Sequence, residues 1–109
     1  MTNKPVILRE RAQRDVDEAV ERYVAQAQSA VALALIDALE EAFRRMGEHP
    51  AAGSPRYARE LSIPGLRSWV VCGFPYLVFD AEREADFDVW RVLHAARDIP
   101  AWLREPLEG

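Results

Sequence analysis

Three side chains that could do chemistry sit three residues apart near the end of the chain. They are Arg91, His94 and Arg97, inside the run V-W-R-V-L-H-A-A-R-D-I-P from Val89 to Pro100. An imidazole can take or give a proton near neutral pH, and guanidinium groups can hold an anion or the charge that develops on a phosphate. A strand that only packs needs none of the three. Val89 to Leu93 is β-branched and aromatic and of strand length. Asp98 is suited to cap a short helix through Trp102 and Leu103.

Other reactive residues are sparse. Cys72 is the single cysteine, so no internal disulfide can form, and no Cys/His group has zinc-ligand spacing. Cys72 reads as a small core or strand residue, and His49 as a solvated residue at a helix exit. Neither a metal nor a cofactor is expected. Thirteen of the fourteen basic residues are arginine, Lys4 being the other, which favours planar pairing with carboxylates or phosphates over loose charge steering. The net charge of −4 argues against a surface that grips nucleic acid as a whole. Within residues 51–75, however, Arg56, Arg59 and Arg67 face only Glu60, a net of +2, whereas residues 76–109 carry four arginines against eight acids, a net of −4.

The elements that must position these residues follow from periodicity. At 109 residues the chain is expected to be one domain, with half its residues hydrophobic and a core within reach. Apolar runs fall short of a bilayer span and no signal-peptide pattern opens the sequence, so a cytoplasmic protein is expected. Pro5 to Arg9 reads as a first strand. From Ala12 to about Gln28, Val16, Ala19, Val20, Tyr23, Val24 and Ala27 recur at helical spacing, with acids on the other face toward the N-terminal half. A second helix runs from Ser29 to about Met46 with Leu35, Leu39 and Phe43 facing inward, and Gly47 stands where a C-cap belongs. The short gap between them predicts an antiparallel hairpin.

His49 to Pro64, with three prolines and a glycine, reads as a long surface loop. Leu66 to Cys72, Tyr76 to Asp80 and Asp86 to His94 then form three strands of an antiparallel meander. The expected architecture is α+β: an N-terminal strand, a two-helix hairpin, a meander that completes a four-stranded sheet, and a short C-terminal helix. The hairpin covers one sheet face and the other is left uncovered, a place for a partner. On the last strand Arg91 shares parity with Phe87, Val89 and Leu93, so it needs a carboxylate such as Asp80 or Asp98 or a contact outside the chain.

In this order and spacing the chain resembles the RelE/ParE superfamily of toxins from type II toxin–antitoxin systems. The resemblance rests on Pro50-x-x-Gly53, Pro64-Gly65-Leu66-Arg67, Tyr76-Leu77-Val78-Phe79, and Arg91-Val92-Leu93-His94 followed by Arg97-Asp98. It implies the fold just described and one of two activities. RelE-like members cut mRNA on the ribosome without a metal, using Arg and Lys on the middle strands and a His or Tyr near the C-terminus. ParE-like members bind and poison DNA gyrase. Both are held inactive by an antitoxin.

Here Trp69-Val70-Val71 stands where the RNases place cations, and the sheet carries no lysine, which favours the ParE-like reading. The resemblance thus implies a gyrase inhibitor that acts by contact, neutralised by a ParD-like, ribbon-helix-helix antitoxin, without direct nucleic-acid binding outside that complex. Tyr23, Arg56, Arg59, Arg67, Trp69, Trp90, Arg91 and Arg97 are the candidates to touch antitoxin or target. The alternative, a ribosome-dependent RNase, would rest on Arg67, Arg91 and His94. A non-toxic binding module of the same fold is the third reading.

Overall fold

In the computed structural model, which describes residues 4–96 and 99–103, strand β1 (Val6–Leu8) leads directly into helix α1 (Glu10–Ala25). The chain reverses through Ala27, held at a left-handed φ of 56°, into α2 (Ser29–Glu48). The turn is closed by the Gln28 N–H on the Tyr23 carbonyl and the Ala27 N–H on that of Val24, the hydrogen-bond pattern that ends helices at a left-handed residue. The α2 helix runs through Gly47 to Glu48, so Gly47 is helical and does not serve as the C-cap. The inward residues are as the spacing requires: Ala12 and Ala19 on α1, and Leu35, Leu39 and Met46 on α2, are buried.

The meander follows as β2 (Leu66–Val70), β3 (Tyr76–Glu82) and β4 (Phe87–His94), and α4 (Ile99–Leu103) ends the described chain. Strand order is β1-β4-β3-β2, with β1 parallel to β4 and the other pairs antiparallel, so the sheet is mixed. Cys72 does not extend β2; it is exposed in the turn that precedes β3.

Two expectations are corrected. The stretch from His49 to Pro64 is not a structureless loop. It holds a 3-10 turn at Pro50–Ala52 and a helix, α3 (Arg56–Leu61), which stops where Ser62 adopts a left-handed φ of 54°. Six helical residues between prolines are too few to show a period, which is why the composition read as loop. The second sheet face is therefore not bare. Tyr57 of α3 and Ile99 and Leu103 of α4 bury themselves there with Leu66, Phe79 and Leu93, forming a second apolar cluster opposite the hairpin's own. The Tyr57 ring stands edge-on to Phe79 at 5.4 Å, a favoured aromatic geometry.

The motif Pro50-x-x-Gly53 has a packing reason. A Cβ on Gly53 would lie 2.9 Å from the Trp69 ring, so only glycine lets the 3-10 turn press onto β2.

Candidate functional site

Register decides which face each strand residue takes. On β4, Val89 pairs with Asp80 and Arg91 with Phe79, so Trp90 is an extra residue without a partner on β3. This bulge reverses the alternation. Phe87 and Val89 face the hairpin, but after the bulge Val92 and His94 do, while Arg91 and Leu93 turn to the α4 side. The expected common parity of Arg91 with Phe87 and Val89 is overturned for that reason.

Arg91 is buried, with 1% of its surface exposed. Its Nε and Nη2 donate to the two carboxylate oxygens of Asp15 at 2.7 and 2.9 Å, and its Nη1 to the Trp102 carbonyl at 3.4 Å. The partner is thus Asp15 of α1, not Asp80. Asp98, the other expected partner, lies outside the described residues, as does the candidate Arg97. Asp15 also accepts the Val92 backbone N–H at 3.0 Å. A single carboxylate therefore neutralises a buried cation and occupies an edge amide of β4. The expectation that the acids of α1 take its outer face fails at Asp15: three residues after Ala12 and four before Ala19, it stands on the buried side of the helix.

Beside this pair, a groove of about 200 Å³ runs between α1 and the last residues of β4. His94 lines it, with Nδ1 accepting the Ala96 N–H at 3.0 Å and its ring edge-on to Tyr76 at 5.3 Å. The Tyr76 hydroxyl accepts from Arg22 Nη1 at 3.3 Å. Arg22 and Tyr76 were not among the candidates; their polar ends meet only because α1 crosses the sheet at this angle.

Arg67 belongs elsewhere. It pairs with Asp80 across β2 and β3, donates Nη1 to the Pro50 carbonyl and Nη2 to Glu82 at 3.3 Å, and lies 3.7 Å from Asp80. Since His94 pairs with Tyr76 on the other side of β3, the two are offset by four β3 residues, about 13 Å at strand rise. Arg91 is on the opposite face from both. Arg91 and His94 nonetheless line the same groove beside α1, while Arg67 stands apart from both.

Trp69 is a core residue, 5% exposed, donating Nε1 to Asp80 at 2.8 Å, and is not a surface contact. Burial pushes the Asp80 carboxyl up, against the opposing pull of Trp69 and Arg67. Trp90 is half-buried on the α4 side, donating to Asp88 at 3.0 Å with Arg9 stacked over its ring at 5.2 Å. Asp88 also takes both Nε and Nη2 of Arg9, at 3.1 and 2.9 Å. Burial raises that carboxyl too, but the Arg9 and Trp90 hydrogen bonds and the nearby Arg83 outweigh it and hold it below the usual carboxylate range. Tyr23 is half-buried, edge-on to Phe74 at 6.1 Å. Arg56 and Arg59 are exposed on α3, Arg56 lying over the Tyr57 ring at 5.0 Å.

Among the described residues no group of His, Cys, Asp and Glu is placed to hold a metal, and no helix is long and apolar enough to cross a membrane. The arrangement offers arginines that grip carboxylates of the same chain, beside a groove between α1 and β4.

No curated protein matches the chain in sequence. Among solved structures, one described as the chromosomal ParDE TA system from P. aeruginosa matches with a TM-score of 0.69 at 17% identity, covering 84% of this chain and 95% of that one. At that identity the likeness speaks for the fold. A family model described as the ParE toxin of the type II toxin–antitoxin system, parDE, matches residues 6–99. The chain belongs to the ParE toxin family of type II toxin–antitoxin systems.

Proposed function

We propose that this toxin arrests growth by binding DNA gyrase and that a cognate, ParD-like antitoxin neutralises it. The observation that supports contact over cleavage is the separation of Arg67 from Arg91 and His94, with the Arg91 guanidinium already taken by Asp15. Metal-free RNA cleavage requires a base, an acid and cations around one phosphate. In this chain the two arginines are on opposite faces, each committed to carboxylates of its own chain. A surface built this way recognises a partner by shape and charge.

The hairpin supports the antitoxin half of the reading. Val24, Leu33 and Ile36 are exposed near its turn, Leu33 by 65%, in a protein whose other large apolar residues are mostly covered. An amphipathic helix from a partner would bury such a patch.

Purified protein added to gyrase should abolish plasmid supercoiling or accumulate cleaved DNA, and the antitoxin should restore supercoiling. Indifference of gyrase removes it as the target. Discrete ribosome-dependent cuts in mRNA from expressing cells, lost on His94→Ala, would replace the proposal with the nuclease reading. Expression without antitoxin that leaves growth unchanged would leave only a binding module.

A further inference from the structure

We propose that α3 and the depression beside it are the surface with which the toxin meets its protein target, and that they take a segment in which an apolar side chain is flanked by acids. This rests on the reading that the chain acts by contact with gyrase, and it assigns the toxin's side of that contact. Among the described residues, Arg56 and Arg59 are the arginines whose guanidinium groups make no hydrogen bond or ion pair, and Glu60 on the same helix pairs with neither. The other arginines are engaged within the chain. With 18 acids against 14 bases, the two are not left unpaired for want of carboxylates.

Arg56 and Arg59 stand three residues apart, so they are neighbours on one helix face, where like charges repel. An anionic partner relieves that repulsion. Arg56 is also held ready. Its guanidinium lies over the Tyr57 ring at 5.0 Å, and that ring is itself buried edge-on against Phe79. Stacking on a ring face leaves the N–H edges of a guanidinium open to a carboxylate, and a side chain already placed loses less entropy on binding.

The residues directly before the two arginines, Pro55 and Ala58, line a depression of about 380 Å³ between the 3-10 turn, α3 and the start of β2. Gly53, Gly65 and Leu66 add to its apolar lining. An apolar hollow beside charged groups is the plan of a protein interface, an anchor pocket with a polar rim. Arg67, which also lines it, is already neutralised by Asp80 and Glu82. Two uncommitted guanidiniums are too few for a nucleic-acid backbone, whose binding rests on many phosphate contacts. They complement an acidic protein segment. This surface lies across the sheet from the hairpin patch assigned to the antitoxin.

The test is surface plasmon resonance of the full toxin on purified gyrase at low and high salt, with antitoxin as a second ligand. Arg56→Glu/Arg59→Glu alters exposed side chains. It should bind gyrase about tenfold or more weakly, mostly through a slower on-rate that responds less to salt, and bind antitoxin as the wild type does. Ala51→Trp, at an exposed position of the depression's wall, should raise the off-rate from gyrase about fivefold. Should the charge-reversed variant lose its native circular dichroism, Arg56→Gln/Arg59→Gln is expected to bind about threefold more weakly. Unchanged gyrase kinetics in either folded variant overturn this inference alone. An equal loss of antitoxin binding gives the arginines to the antitoxin and overturns it too. So does wild-type binding to DNA alone that the variant loses, which gives them to phosphate. A wild-type chain that binds no gyrase overturns the reading beneath it.

Discussion

The two long edges of the sheet are finished in different ways. Along β2 the chain closes the edge itself. Ser54 exchanges two backbone hydrogen bonds with Ser68, at 2.9 and 3.0 Å, the Leu66 N–H reaches Ile63, and Arg45 donates to the Val70 carbonyl at 3.0 Å. Along β4 the cover stops at Val89, and past it one carboxylate holds one amide. An unprotected edge invites pairing with another chain. Sealing relies on glycine and small polar residues that let backbone approach backbone. The open edge relies on charge, and so can exchange partners.

The largest effect is expected where that charge is removed. Asp15→Ala strips the buried Arg91 guanidinium of its carboxylate and the Val92 amide of its acceptor, and should cost about 3 kcal/mol, read from urea unfolding midpoints. A loss under about 0.5 kcal/mol, the scale of an ordinary surface change, would show the pair to be incidental. On the sealed side, Gly53→Val pushes side-chain carbon into the Trp69 ring. It should destabilise by about 2 kcal/mol and speed hydrogen exchange at Ser68, whose N–H depends on the displaced Ser54. Trp69→Phe keeps an aromatic ring in the core but leaves the buried Asp80 without its closest donor. About 1–2 kcal/mol should be lost, less if Asp80 takes up a proton.

The two buried acids divide by pH, the smallest expected difference. Asp88, gripped by Arg9, sits below its ordinary value, so its contribution is present above about pH 4 and fades as pH falls through the folded pKa. Asp88→Asn should flatten the acid side of a stability–pH curve. Asp80 is raised, chiefly by burial, so its contribution runs the other way: full at low pH and lost as pH rises through the folded pKa. Asp80→Asn should make the acid loss steeper. Equal slopes for the two variants would refute the contrast.

Much of this was legible in the chain. The hairpin's buried Leu35, Leu39 and Met46, and the meander's β3 and β4, follow from period alone, because a helix or strand that must bury one face repeats its apolar residues at its own pitch. Arg91 was legible as a residue needing a carboxylate. Which carboxylate was not legible, because one unpaired residue, Trp90, reverses every later side chain, and a bulge leaves no mark in composition. The covering of the second sheet face was hidden for a similar reason, since α3 has too few residues for a pattern to emerge.

The amino-acid sequence by itself determined the order of the two long helices and four strands, the hairpin's core face and, through motifs spread over most of its length, the ParE family. Those properties are written locally, in spacing and turn chemistry. Only the tertiary structure decided that Arg67 and Arg91 part to opposite faces, that Trp69 is core, and that His94 meets Arg22 and Tyr76 beside an open edge. Each of these depends on strand register and on the angle at which α1 crosses the sheet, which no residue encodes alone.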